Sequence, residues 1–485
     1  MNLPEDTNMK ICLLNDAFPP VIDGVANTVV NYAENLHKTK DTEVIVSTPY
    51  YPGEDYSKYP YPVLTYPSFD TTAATGGYRA GYPLAVKEAG NLIAWHPQIL
   101  HTHCPATSCF LARIVRDASD APIVLTYHTK YDIDIRNTIP TELLQRETIK
   151  ALVNNVSACD EVWTVSRGAG ENLKSLGYQG DYKVMHNGVD FARGRSTDEE
   201  VRLVTSEYDL PADVPVFLFV GRIMDYKGLP MLVDALYKTA QQEDFRIVFV
   251  GRGTDSDGLK DKIRHFGIAL DEKTEDGKIV SWPGSLPKGK CIFTGAISDR
   301  NHLRAWNTRA DLFVFPSSFD TNGLVVREAA ACSLGSVLVR GSCAAEDITD
   351  GRNGYLADED ADSFASFLTW ACTHRDELHQ TGINAMNEIY LSWEDAVKTA
   401  HTAYAELIEK NRQGLLPRKK PLFDDPLFEM TADAALQYMH YMNKVRTEAP
   451  RSFGMLDNRN VLTHKIRNEL EELKGQISQR LKIKE

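Results

Sequence analysis

No stretch of this chain is long and apolar enough to span a bilayer. Runs such as Val214 to Val220 and Ile247 to Val250 are strand-sized, far below the roughly 20 residues that a spanning helix requires. A basic field is missing too: the formal net charge is −14, which argues against a nucleic-acid partner and weakens the case for a charge-driven contact with anionic lipid. The eight cysteines are scattered, with no Cys-x-x-Cys pair and no histidines at zinc-finger spacing. They read as reduced, mostly buried thiols. The first ten residues are polar and acidic where a secretory signal has a basic start and an apolar run. Export is therefore not expected, and a cytoplasmic location, with peripheral membrane contact as an option, is.

What is present is the balance of an ordinary globular protein, 43% hydrophobic and 25% charged over 485 residues. That length exceeds what one core organises, so two large domains plus additions are expected. From Lys10 the chain alternates apolar strand-sized runs with helical segments: Ile11 to Leu14, a Pro- and Gly-bearing loop, a helix over Asn27 to His37, then Glu43 to Thr48. Ile99 to His103, Ile123 to Tyr127 and Glu161 to Ser166 continue the pattern, each ending in polar residues. Alternation of this kind implies a parallel, doubly wound α/β sheet with ligands at the strand C-termini. Phe191 to Pro215 lacks periodicity and reads as a boundary, after which Val216 to Gly221, Arg246 to Gly251, Lys290 to Gly295, Leu312 to Pro316 and Ser336 to Val339 form a second series. Gly253 to Gly289 is expected to hold a helix and a surface insertion.

The expected domains are residues 1–195, 196–390, a helix over 391–411 returning to the first domain, and a linker with a helical tail over 412–485. Gln413 to Pro426 reads as linker. In the tail, Leu462, Ile466, Leu470, Leu473, Ile477 and Leu481 form one apolar stripe at helical spacing. A helix packed on the body or on a twin subunit, giving a homo-oligomer, is favoured over a membrane-surface helix.

Two segments carry chemistry. In Phe315-Pro-Ser-Ser-Phe-Asp-Thr-Asn-Gly-Leu-Val-Val-Arg-Glu a strand ends, a polar loop follows and a helix starts near Gly323. Helix N-termini suit anionic or polyhydroxyl ligands, and Asp320 and Glu328 can accept hydrogen bonds from sugar hydroxyls. Asp320 as a helix cap and Glu328 as a solvated acid is the competing reading. In Phe219-Val-Gly-Arg-Ile-Met-Asp-Tyr-Lys-Gly a strand ends at Gly221 and two cations follow in one loop. Arg222 and Lys227 can neutralise a diphosphate leaving group, or are solvated surface cations.

Together, Asp320 with Glu328 eight positions on, Gly221-Arg222 and Lys227-Gly228 resemble the retaining GT-B glycosyltransferases of family 4, over about Lys10 to Ile408. Phe18-Pro-Pro-Val-Ile-Asp-Gly-Val-Ala is similar to the family's N-terminal loop, whose glycine, here Gly24, lets backbone N–H groups approach the donor phosphates; a turn glycine with positive φ is the alternative. Leu125-Thr-Tyr-His-Thr resembles the strand end whose histidine, here His128, contacts the transferred sugar. His186-Asn-Gly-Val-Asp190 matches the family's loop into the interdomain linker, and Phe293-Thr-Gly-Ala-Ile297 the family's segment near the nucleobase; each reads equally as scaffold or as contact. Two departures stand out: Asp320 replaces the commoner Glu, and Asn322 stands where an aromatic residue is frequent.

The resemblance implies two Rossmann-like domains facing across a cleft and transfer of glucose or another hexose from a UDP- or GDP-linked donor with retention of configuration. No cofactor and no obligatory metal are implied. Arg222 and Lys227 would stabilise the diphosphate, Asp320 and the amides of Asn322, Gly323 and Leu324 would hold the hexose, and Glu328 the ribose. His128 and Asp320 are the catalytic candidates. The pair Asp132-x-Asp134 is similar to a metal-binding motif of another transferase fold, but without supporting context no metal is expected there. Gly24-Val25 and Tyr127-His-Thr-Lys-Tyr131 are similar to bacterial diacylglycerol glucosyltransferases and lipid mannosyltransferases, which favours a lipid-linked acceptor over a soluble sugar or small metabolite. A GT-B epimerase or phosphorylase and a non-catalytic nucleotide-sugar binder are the rival readings.

Overall fold

A computed structural model of the chain describes residues 8–21, 23–72, 77–139, 141–419 and 421–422; the apolar stripe of the tail lies outside them. The chain divides into two compact units, one built from residues up to 165, 169–185 and 397 onward, the other from 166–168 and 186–396.

The first unit is a seven-stranded, all-parallel sheet. Its strands are β1 (Met9–Leu14), β2 (Thr42–Pro49), β3 (Val63–Tyr66), β6 (Ile99–Thr102), β7 (Ile123–Tyr127), β8 (Glu161–Thr164) and β9 (Lys183–Val184), in the order β3-β2-β1-β6-β7-β8-β9. A two-stranded ribbon, β4 (Ser68–Phe69) with β5 (Ala80–Gly81), stands apart from it. Helices cover the sheet, so its strands are apolar runs rather than alternating ones, and Ile11 to Leu14 are all fully buried. The chain steps outward from β1 to β3 and then returns to β6 on the other side of β1. The loops leaving β1 and β6 therefore part from each other, which opens a crevice at the strand C-termini.

The second unit repeats this logic with β10 (Val216–Val220), β11 (Arg246–Val250), β12 (Ala269–Lys273), β13 (Ile279–Trp282), β14 (Lys290–Gly295), β15 (Leu312–Phe315), β16 (Ser336–Val339) and β17 (Tyr355–Ala357). Their order is β13-β12-β14-β11-β10-β15-β16-β17, and only β13 runs antiparallel. Its switch point lies between β10 and β15. The surface insertion expected between Gly253 and Gly289 is the helix Ser256–His265 followed by the β12–β13 hairpin.

Two expectations are corrected. The boundary segment contains a helix, Asp198–Thr205, started by a capping box in which Thr197 and Glu200 satisfy each other's backbone N–H groups. Its two turns are too short to show a period. Of the segment Gln413 to Pro426 expected as linker, the described residues follow the helix Trp393–Arg412 and lie on the first unit. There the Leu422 side chain is wholly buried in the apolar core, and its N–H donates to the Asp117 carboxylate at 2.7 Å. Among the described residues no helix is long and apolar enough to cross a membrane.

The ends of β6 and β7 bury three imidazoles. His101 bonds through Nδ1 to the Tyr404 hydroxyl at 2.5 Å and through Nε2 to Thr126 at 2.8 Å. His103 Nδ1 lies 3.0 Å from His128 Nε2, and the His101 and His103 rings are 4.0 Å apart. Tyr32 packs edge-on against both rings, and Trp163 stacks on Tyr404. Burial disfavours the charged form of all three histidines: it pulls His101 and His103 well below the usual imidazole range and His128 down to about 3.

Removing the Leu422 side chain should destabilise the first unit by about 2 to 5 kcal/mol, the usual cost of a large-to-small change in a core; urea unfolding of Leu422→Ala measures it. The histidines add a pH dependence. Their pKa values are depressed in the fold, so their contribution is complete above the unfolded value of about 6.5 and is lost as pH falls below it, at up to about 1.4 kcal/mol per histidine per pH unit. Melting between pH 7.5 and pH 5 should show this decline, and the double variant with His101→Asn and His103→Asn should flatten it.

Candidate functional site

In the second unit the loops leaving β10 and β15 meet at the switch point, and backbone contacts that only glycine permits bring them together. After β10, Gly221 donates its N–H to Val250 O at 3.0 Å and Ile223 its N–H to Arg252 O at 3.0 Å. A Cβ on Gly251 would stand 1.9 Å from Gly221 O. The 3-10 turn Asp225–Lys227 then ends at Gly228, whose φ of 76° is left-handed, and a Cβ there would lie 2.2 Å from Pro316 O. The cation loop thus lies directly on the first residue after β15.

Lys227 consequently meets Asp320. Its ammonium donates to both carboxylate oxygens, at 2.6 and 2.5 Å, and its side chain is only 11% exposed. The ammonium also sits 5.8 Å from the centres of the Tyr226 and Phe315 rings, and the Arg222 guanidinium is 6.0 Å from the Tyr226 ring. Tyr226 in turn packs on Phe319 at 4.8 Å. Arg222 itself is exposed. Lys227 is therefore not a solvated surface cation, and Asp320 is not a helix cap.

The helix Leu324–Ala331 begins at Gly323, with φ 56°, and no side chain caps it. Its first N–H groups are accordingly open to a ligand. The amide nitrogen Nδ2 of Asn322, a buried atom, finds no hydrogen-bond acceptor among the described residues. Asn322 and Gly323 line a small pocket, partly open to solvent, with His186, Arg327, Asp347 and Ile389. Arg327 fixes the helix by donating to Ile389 O at 2.7 Å and to the Asp347 carboxylate at 2.5 Å. Glu328 is held apart from it: its side chain is 12% exposed and pairs with Arg300. Burial pushes the Glu328 carboxyl above its usual range, and the Arg300 charge and hydrogen bond oppose that shift. The solvated reading of Glu328 is thus corrected. Ile297, in the loop after β14, packs half-buried against the core.

The first unit holds Gly24 and His128. Gly24 opens the helix Gly24–Lys38 and has no positive φ, so it is not a turn glycine. A Cβ at Gly24 would meet nothing within 4 Å. Asp23 caps the helix, accepting from the N–H groups of Val25 and Ala26 at 3.2 Å. The same loop is anchored by Asp16, which accepts from Tyr66 Oη at 2.9 Å and from the Ser108 N–H at 2.8 Å, and burial pushes its carboxyl up. Asp132 accepts from Asn172 at 3.2 Å, and among the described residues no group of three or more metal-ligating side chains could hold an ion.

Sequence reasoning passed over His103 and Arg300. His101 and His103 sit two positions apart at a strand end, the spacing that puts both on one face of a strand, and this was a readable signal. Arg300 follows the Asp299 helix cap and belongs to no recognisable motif.

Comparison with known proteins bears on the fold and the family. Residues 22–193 match the family described as Glycosyltransferase Family 4, and residues 214–374 the one described as Glycosyl transferases group 1. An alpha-monoglucosyldiacylglycerol synthase from Acholeplasma laidlawii is 24% identical over 84% of this chain and 99% of its own length. A GDP-mannose-dependent alpha-mannosyltransferase from Corynebacterium glutamicum is 24% identical over 72% of this chain and 77% of its own. The Anabaena protein HepE, solved with UDP, superposes with a TM-score of 0.61 at 18% identity, covering 83% of this chain and all of that one, which attests the fold. With two doubly wound units and matches to both of these glycosyltransferase families, the chain belongs to the GT-B glycosyltransferases of family 4.

Proposed function

We propose that this glycosyltransferase moves glucose or another hexose from a UDP- or GDP-linked donor to a lipid-linked or sugar acceptor, with retention of anomeric configuration and no obligatory metal ion. The observation that carries the reading is the Lys227–Asp320 pair lying at a loop junction beside an uncapped helix N-terminus and the unpartnered Asn322 amide. These are one cation for a diphosphate, one carboxylate for a sugar hydroxyl and several N–H donors. The names of the relatives support both nucleotide-sugar donors and diacylglycerol-type acceptors.

In this reading the bond between the sugar C1 and the diphosphate oxygen breaks as an acceptor hydroxyl oxygen bonds to C1 on the same face. The acceptor proton passes to the departing phosphate oxygen. Negative charge gathers on the diphosphate, so stabilising it lowers the barrier most. Arg222 offers a planar fork and Lys227 a point charge. The lysine ammonium has three N–H donors, enough to keep Asp320 and still reach a phosphate oxygen. The amides of Gly323 and Leu324 at the helix start and the Asn322 side chain orient the hexose, Glu328 accepts from the ribose hydroxyls, and the backbone beside Ile297 borders the base. Open space at Gly24 admits the phosphates to the N–H groups of the first loop. His128, kept neutral by burial, supplies a hydrogen bond to the hexose rather than a charge. The acidic chain and the relatives together leave membrane contact peripheral in this reading.

Incubation with UDP- and GDP-hexoses, with product stereochemistry read by NMR, tests the reaction. Lys227→Ala should lower turnover by about 100-fold or more, the range for loss of one charge-stabilising donor, while the far-UV circular dichroism stays unchanged. His128→Ala should reduce kcat with little change in nucleotide diphosphate affinity. Inversion at the anomeric carbon, or near wild-type turnover in Lys227→Ala, overturns the assignment. Activity should persist in EDTA; its full loss and rescue by magnesium or manganese would contradict metal independence.

A further inference from the structure

We infer that Arg300 is a positioning residue for the donor, holding the Glu328 carboxylate in place for the ribose hydroxyls of the nucleotide. This rests on the assignment of Glu328 to the ribose made above and adds a residue to that site.

The Arg300 guanidinium donates through Nη2 to Glu328 Oε1, lies 3.8 Å from Asp190 Oδ2, and stacks over the Phe191 ring at 4.5 Å from its centre. Three contacts from two other segments thus fix one side chain that is itself 44% exposed. An exposed arginine with no task surrenders its rotamer entropy for little return. Here the guanidinium instead lies against a carboxylate that is nearly buried, and the partner of a buried charge decides the state of that charge. The groups that bear on Glu328 are few: Arg300 favours the carboxylate, while Asp190 and burial disfavour it. The Cys332 thiol also senses Glu328, and burial pushes that thiol up to about 11, so it stays neutral. Arg300 is therefore the cation that counters both Asp190 and burial.

The consequence for binding follows from hydrogen-bond inventory. An ionised carboxylate accepts from both ribose hydroxyls, whereas a protonated one spends an oxygen as a donor and can turn away. With Arg300 in place, the guanidinium holds the Glu328 carboxylate in one orientation and works against the upward pull of burial and Asp190. Without it, burial and Asp190 act unopposed, the carboxyl takes up a proton at a higher pH, and the ribose loses its acceptor as pH falls. Phe191 completes the device by closing the far face of the guanidinium, which keeps the guanidinium's bond to Glu328 directed.

Calorimetric titration of wild type, Arg300→Gln and Arg300→Lys with UDP, GDP and ADP, and with their 2′,3′-dideoxy counterparts, between pH 5.5 and pH 8.5 tests this. In Arg300→Gln the affinity for the ribonucleotide should begin to fall at a higher pH than in wild type, with a limiting slope of about tenfold per pH unit for one ionising group. Arg300→Lys should restore most of the wild-type profile, and the dideoxy compounds should bind all three proteins alike at every pH. Equal losses for ribo- and dideoxynucleotides in Arg300→Gln, or a profile identical to wild type, overturn the role of Arg300 alone. A wild-type protein that does not distinguish ribose from dideoxyribose overturns the Glu328 assignment and this inference with it. Melting temperatures of both variants separate a folding defect, which would weaken every ligand at every pH and count against the inference.

Discussion

The carbonyl oxygen of Pro316 occupies the place where a side chain at position 228 would begin. Most of the chemistry in the second unit depends on that single close approach. It lets the turn after β10 lie on the turn after β15, so a lysine and an aspartate 93 positions apart come within bonding distance. A sheet whose strand order reverses between β10 and β15 provides the opening, and the glycine provides the contact. Any larger residue would have to lift the lysine loop away, and Lys227 would then face water instead of Asp320, Tyr226 and Phe315.

The first unit solves a different problem. It buries three imidazoles at the ends of β6 and β7, and burial disfavours their charged forms. A neutral His128 can donate or accept a hydrogen bond without adding a charge of its own. The His103 contact leaves His128 with its Nε2 engaged, so its ring is held in one orientation by a neighbour rather than by packing alone. Tyr404 makes the far end of this array depend on a helix that follows the whole second unit in the chain.

How far the sequence revealed this varies by residue. The strands were legible because parallel strands buried on both faces are written as unbroken apolar runs, as in Ile11 to Leu14 and Val216 to Val220. The helix Asp198–Thr205 was not, since two turns leave no period and its evidence is one capping box. The meeting of Lys227 with Asp320 could not be read from either segment, because it follows from strand order and from the φ of Gly228 rather than from local pattern. Leu422 looked like linker among prolines and cations, and only its burial identifies it as core. Arg300 was invisible for the opposite reason: an arginine after a helix cap is common, and its partners Glu328 and Asp190 lie in separate segments.

The docking of Leu422 on the first unit also has a consequence for biogenesis. The first unit's sheet is complete in sequence by β9, yet Tyr404 and Leu422, which belong to its interior, are made roughly 240 residues later, a delay of about 10 to 50 seconds at ordinary translation rates of about 5 to 20 residues per second. Through that interval the nascent sheet carries His101 without the Tyr404 hydroxyl, an open socket where Leu422 will lie, and Trp163 without its stacked ring. The half of the protein that emerges first is therefore the half that finishes last, and it stands exposed to chaperones and proteases while the other half, apart from residues 166–168, is supplied by the one stretch 186–396.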